Sequence, residues 1–428
     1  TPTAYNNGEA LCIKPDDASG DFTFSRNSAA TRVNAQGLVE NVQILSSNLV
    51  QNGDFSEEGV QEVSNGSFSQ EGVQLVTNGD FSNGSANWNL GASWSIVNEK
   101  AVNNGASNSF LTQNSIVQNG KSYLVSFDIA DMTQGSLQLR FGSGAIVTES
   151  FTSNGTKTSY YVSSGDAINF YSVSGFDGSI DNVSVREVGQ NWSLGTGWSI
   201  GEDKAERVST GTYTPITQGG ILTAGKFYKV TYTVNDGSVG GVRVQLGGTY
   251  AGDYNGAGTH TIYGVAGTSD FNNFKLVGEP SFNGSITNIS VKEVGQNWSF
   301  VNADISIGND GLEIISQGGN RPQANQNISG LTIGNKYKLS AVAKRGTCVE
   351  PVEIEIAGIN SPVETNKNNT TEFANIFYQF IATSTIHTIQ AKIDDGTSTI
   401  GETAFFKSVS LIEITDDTNL PRISYENF

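Results

Sequence analysis

The segment Glu187-Val188-Gly189-Gln190-Asn191-Trp192-Ser193 recurs unchanged as Glu293-Val294-Gly295-Gln296-Asn297-Trp298-Ser299. A period of about 106 residues is too long for a solenoid unit, which needs about 20 to 50 residues, and is the size of one antiparallel sandwich. The chain therefore reads as a row of similar whole domains. Composition agrees: only 15% of the 428 residues are charged, 50 are glycine, and β-branched runs are punctuated by Asn-Gly, Asp-Gly and Gly-Gly turns. Helix formers accumulate nowhere. The expected fold class is all-β: tandem antiparallel β-sandwich (jelly-roll) domains with a short extended N-terminal segment.

Landmarks set the register of the repeats. Trp88, Trp192 and Trp298 open three modules, and Trp94 and Trp198 follow six residues after the first two, with Ile305 near that place in the third. Tyr123, Tyr228 and Tyr337 each lead into an alternating strand (Val125-Phe127-Ile129, Val230-Tyr232-Val234, Leu339-Ala341-Ala343). Alternation at period two marks one buried and one wet face. The runs from Phe176 to Val185, Phe282 to Val291 and Phe405 to Ile414 close the modules. Boundaries are expected at 76–188, 189–294 and 295–414, with 1–49 as a separate N-terminal segment and 415–428 as a C-terminal one. Shared positions across modules predict that Trp88, Trp192 and Trp298 pack in cores. A smaller repeat precedes them: Asn52-Gly53-Asp54-Phe55-Ser56, Asn65-Gly66-Ser67-Phe68-Ser69 and Asn78-Gly79-Asp80-Phe81-Ser82, 13 residues apart. Three Phe at one spacing predict three identical dockings, and residues 50–75 read as a linker built by duplicating a domain-opening strand.

Charge and residue chemistry narrow the function. A net charge of −18 argues against nucleic acid, whose phosphates require clustered Lys and Arg. No apolar run is long enough to insert into a membrane. His260 and His387 are the only histidines, one in each of two modules, so a repeated His-based triad is ruled out. Cys348 lacks neighbours at zinc-ligand spacing, and it is not expected to pair with the distant Cys12. The acidic pairs Asp16-Asp17, Glu57-Glu58, Asp394-Asp395 and Asp416-Asp417 sit in turn-like contexts that favour solvated turns over a glycosidase pair. Glu353 and Glu355 alternate on one strand face, expected to be the wet one. The chain reads as a non-enzyme.

The order Asn-Gly-Asp-Phe-Ser, Trp pair, Gly-Lys-x-Tyr with an alternating strand, then Ile180-Asp181-Asn182-Val183-Ser184-Val185 resembles the carbohydrate-binding-module type of β-jelly roll with the galactose-binding-like fold. In that family a structural Ca²⁺ is held near the opening strand and before the last one. The resemblance maps those ligands onto Asn78, Asp80 and Asp181, the only cofactor it suggests. Thr287 and Lys407 replace Asp181 in the other modules, which limits the chain to one such site, and the bland alternative is that Asp80 caps a turn. The run from Thr23 to Glu40, with Leu420-Pro421-Arg422-Ile423-Ser424-Tyr425, is similar to bacteriophage virion proteins of the tail-fibre or appendage type. There the two pieces lie close in sequence; here the jelly rolls stand between them. This implies that residues 1–49 meet 415–428, that the chain is a fragment continuing past Phe428, and that it works at the virion surface as a homo-oligomer, a trimer being favoured, beside other virion proteins.

Glycan binding on such a fold needs exposed rings with amides and carboxylates beside them. The candidates are Tyr160 and Tyr161, Phe170 and Tyr171, Tyr250 with Asp253 and Tyr254, and Phe377 with Tyr378; from these Tyr161, Tyr171, Tyr250, Asp253, Tyr254 and Tyr378 are taken as the binding set. In each adjacent pair one ring belongs to the core. Arg140 and Arg243 are open between ligand contact and solvated strand residue. The expected role is a phage structural protein attaching to host surface glycan; the alternatives are a purely structural head, neck or decoration protein, and the accessory region of a secreted glycan-active enzyme.

Overall fold

In the computed structural model, the described residues are 46–105, 108–142, 146–359, 364–394 and 397–415, together with short strands before residue 46. They fall into two compact units, one of residues 58–294 and one of residues 1–57 with 295–428. The fold is all-β, built as successive antiparallel sandwiches. In the first, strands Ser122–Phe141 and Ile168–Val188 are long enough to run through both layers, bending at bulges such as that between Ser126 and Asp128. In the second the layers are separate sheets of five and six strands, and the third repeats that arrangement. Alternation along Phe227–Val234 leaves Tyr228, Val230, Tyr232 and Val234 buried, as period two requires. Trp88, Trp192 and Trp298 are core residues, as their shared positions predict.

The short repeats dock identically, but each in a different sandwich, so residues 50–75 are not a linker. Trp88 Nε1 donates to Asn78 O at 3.0 Å, Trp192 Nε1 to Asn65 O at 3.1 Å and Trp298 Nε1 to Asn52 O at 3.1 Å. Ring centroids lie 5.3 Å apart for Phe81 and Trp88, 5.3 Å for Phe68 and Trp192, and 5.0 Å for Phe55 and Trp298. The closing strand answers in each sandwich: Val183, Ile289 and Val409 donate their N–H to Gly79, Gly66 and Gly53. Gln113, Gln218 and Gln326 pair their amides with the backbones of Thr77, Ser64 and Gln51. The chain thus supplies a docking cassette to the third sandwich, then the second, then the first, before building the first, second and third bodies. Strands Glu58–Gln61 and Glu71–Gln74 extend the closing strands of the second and first bodies.

Ile44–Leu45 pairs in the same way with Ile414 and Thr415. The remaining C-terminal segment, residues 416–428, lies outside the described residues, as does most of the stretch from Thr23 to Glu40. Ile305 takes the register position of Trp94 and Trp198 on the following hairpin.

Candidate functional site

The three glutamines of the cassette docks give the corresponding layers of the three sandwiches a common register. Gln113, Gln218 and Gln326 lie across from Ile168, Phe274 and Ile389, which pair in turn with Phe141, Leu246 and Ile356. One residue back along the last strand, the outward position holds Arg140, Gln245 or Glu355, and two further back Gln138, Arg243 or Glu353. The same outer face is therefore decorated with different chemistry in each sandwich.

In the first, Phe110 and Tyr171 are cross-strand partners with ring centroids 4.4 Å apart. The Arg140 guanidinium lies over Tyr171 at 3.9 Å from its centroid and 5.8 Å from that of Phe110, a cation–π arrangement. Gln138 Oε1 accepts from Arg140 Nε at 3.1 Å and holds it there. Tyr171 Oη donates to Asn108 Oδ1 at 2.7 Å. Beside the rings is an open cleft of about 380 Å³ lined by Gly91, Ser93, Asn104, Asn108, Ser109 and Phe110. Half-buried rings next to amides and hydroxyls offer a stacking surface and hydrogen-bond partners together. Phe170, the neighbour of Tyr171, is fully buried.

In the second, Arg243 is gripped by Glu279 at 3.0 Å, which keeps the guanidinium pKa above its usual value. Tyr213 flanks it at 4.3 Å and Tyr250 at 5.9 Å, with Asp253 at 4.0 Å. Tyr250 and Asp253 are thus brought together around one cation, with partial burial and the Asp253 bond raising the Tyr250 pKa. Tyr254 instead stacks on His260, centroids 4.7 Å apart and planes 15° apart. His387, in the third sandwich, is mostly buried and accepts from the backbones of Thr383 and Ser384, with burial lowering its pKa.

Tyr161 donates to Glu149, and burial, then that bond, raises its pKa. Tyr160 and Tyr161 line a cleft of about 220 Å³ with Ser199, Gly201, Glu202 and Glu206 where the first two sandwiches meet. Tyr378 does not belong to the binding set: it is 1% exposed, and its hydroxyl accepts from the Ile356 N–H. Phe377 is the outward member of that pair, with Lys338 over its ring at 4.7 Å. Glu353 is likewise not on a wet face. It is 6% exposed because the turn Glu364–Asn366 and strand Lys367–Asn368 lie against it.

Of the suggested calcium ligands, Asn78 and Asp80 are engaged within one local turn, and Asp181 lies in the closing strand Ile168–Val188. Asn78 donates to Gly84 O and Ala86 O and accepts from Asn83 N. Asp80 accepts from the Ser82 N–H and hydroxyl, bonds that lower its pKa, and Asp181 accepts from Asn182 N. This gives Asp80 the turn-capping role. Among the described residues no group of three or more His, Cys, Asp or Glu is spaced to hold a metal ion, and no helix is long and apolar enough to cross a membrane.

Phe110, Asn108 and Tyr213 were not singled out by the sequence. Phe110 alternates with the buried Leu111, a signal that marks it as outward, but its partnership with Tyr171 depends on a register between strands 58 residues apart in sequence.

No protein-family model matches this sequence, and no curated protein matches it. Among solved structures, a CBM4 carbohydrate-binding module is similar over 28% of this chain and 90% of its own, at 20% identity and a TM-score of 0.22. The tandem CBM51 modules of a family 98 glycoside hydrolase from Streptococcus pneumoniae match 50% of this chain and 84% of their own, at 11% identity and 0.18. A triple-jelly-roll protein of an archaeal virus turret covers 77% of this chain and 90% of its own, at 13% identity and 0.19. At these identities the likeness concerns the fold alone.

Proposed function

We propose that the chain is a non-enzymatic virion structural protein, a fibre or appendage on the phage particle surface, whose first sandwich binds host surface glycan on the Phe110–Tyr171–Arg140 face. The observation that carries the binding role is that platform of two rings and a guanidinium beside a cleft bearing Asn104 and Asn108. The phage assignment rests on the resemblance of the Thr23 to Glu40 run and the Leu420 to Tyr425 run. A homotrimeric assembly beside other virion proteins would multiply weak sites by avidity. The test is binding of the whole chain to host polysaccharide by titration calorimetry. Tyr171→Ala and Phe110→Ala are each expected to weaken it by roughly three- to tenfold, the worth of one stacked ring. Unchanged affinity in both variants would remove this face from the proposal.

A purely structural role is the second reading, favoured by the third sandwich. There Glu353, at the equivalent outward position, is covered by the chain's own residues 364–368. Labelling of intact particles separates the readings: a head or neck position without host binding supports the second.

A further inference from the structure

In the third sandwich two buried side chains, an amine and a carboxamide, converge on one buried carboxyl group. Glu353 on Val352–Ile356 and Lys392 on Ile386–Ile393 are direct cross-strand partners, and Asn366 comes from the turn Glu364–Asn366 that leads into the edge strand. Their exposures are 6%, 1% and 1%. The Glu353 carboxyl group gathers them: Oε1 accepts from Asn366 Nδ2 at 2.8 Å and lies 4.0 Å from Lys367 Nζ, Oε2 lies 3.4 Å from Lys392 Nζ, and Asp394 shares a side-chain hydrogen bond with the group. Asn366 Nδ2 also donates to Ile354 O at 3.1 Å, which fixes the amide's orientation. Lys392 Nζ reaches Glu355 Oε1 at 2.8 Å. Lys367 and Asp394, paired at 2.8 Å, complete the charged surroundings.

An amine and a carboxamide held on one carboxyl group, away from water, are the reactants and the proton shuttle of an amide exchange. We infer that Lys392 and Asn366 form an intramolecular isopeptide bond with Glu353 as the acid–base group. Lys392 passes its ammonium proton to the Glu355 carboxylate, and the neutral Nζ attacks Asn366 Cγ. As the Nζ–Cγ bond forms, Glu353 takes the proton shed by the attacking nitrogen and returns one to Nδ2. The Cγ–Nδ2 bond breaks and ammonia leaves, collecting the proton stored on Glu355. The balance is one ammonium ion lost and one amide gained, with no oxidant or co-reactant. Holding the amine and the amide on one carboxyl group lowers the entropic part of the barrier to such an exchange. Burial, reinforced by Asp394, pushes the Glu353 pKa up to about 7, near the value at which a group both gives and takes a proton. The bond would staple the edge of the five-stranded layer across the intervening strand.

Intact-mass spectrometry of the full recombinant chain tests this directly. The expected mass is one ammonia below that of the sequence, and a tryptic digest should contain a branched peptide joining Lys392 to Asn366. Glu353→Gln should return the full mass and both linear peptides, whereas Asn366→Asp should lose water in place of ammonia. Recovery of only linear peptides from the aged wild-type chain would overturn the inference, even if the variants fail to fold. An ammonia loss without the branched peptide, as from an Asn-Gly succinimide, would overturn it equally.

Discussion

Two neighbouring letters can hold opposite jobs, and the pleat decides which. In Phe170-Tyr171 the first ring is core and the second outward, while in Phe377-Tyr378 the order is reversed. Alternation shows that one of each pair is buried, but the choice depends on strand register, which no local pattern carries. Glu353 shows a different limit. Its alternation with Glu355 is legible, yet the turn that covers it comes from Glu364–Asn366, and periodicity within a strand is silent about what lies over it. That covering has a measurable consequence. A carboxyl group raised to about 7 from the usual 4.5 binds more protons folded than unfolded between those values. Stability of the third sandwich is therefore full below pH 4.5 and falls as pH rises to about 7, on the order of 1 kcal/mol per pH unit at most. Urea melts across that range should show the decline, and Glu353→Gln should flatten it.

At the scale of elements, the cassette explains its own sequence. In Asn-Gly-x-Phe both the Asn and the Phe have positive φ: 51° and 60° for Asn65 and Phe68. Asn tolerates that region, but a bulky Phe there is strained by about 1–3 kcal/mol. The strain is held by burial of the ring against Trp192. Glycine is required between them because a Cβ on Gly66 would stand 2.0 Å from Ile289 O. Phe68→Ala removes the compensating contact and leaves the strained backbone, so the second sandwich should lose about 3–5 kcal/mol. Phe68→Gly relieves the strain and should lose less. Calorimetric melting of the two variants should rank them in that order, with the cost of Phe68→Ala confined to the second sandwich.

At the scale of the whole molecule, the tandem all-β plan was legible from the repeats, and the chain order of the cassettes was not. The three cassettes share Asn, Gly, Phe and Ser at matching positions, so nothing in any one of them says which body it completes. The assignment is settled by connectivity: the first cassette docks on Trp298 and Val409, the second on Trp192 and Ile289, the third on Trp88 and Val183. The third sandwich is thus discontinuous, its core closed by Val50 and Phe55 from a segment more than 200 residues upstream. Removing residues 1–57 should leave the first two sandwiches with all their own strands. The third would keep its body but lose the ring on Trp298, the partner of Gln326 and the pairing to the closing strand. Limited proteolysis of the truncated chain should accordingly cut first within residues 295–415 and spare 58–294, whereas a contiguous third domain would resist cleavage as well as its neighbours. Adding back a peptide spanning residues 44–57 should restore that resistance, because the contacts it makes are noncovalent and all lie within the third sandwich.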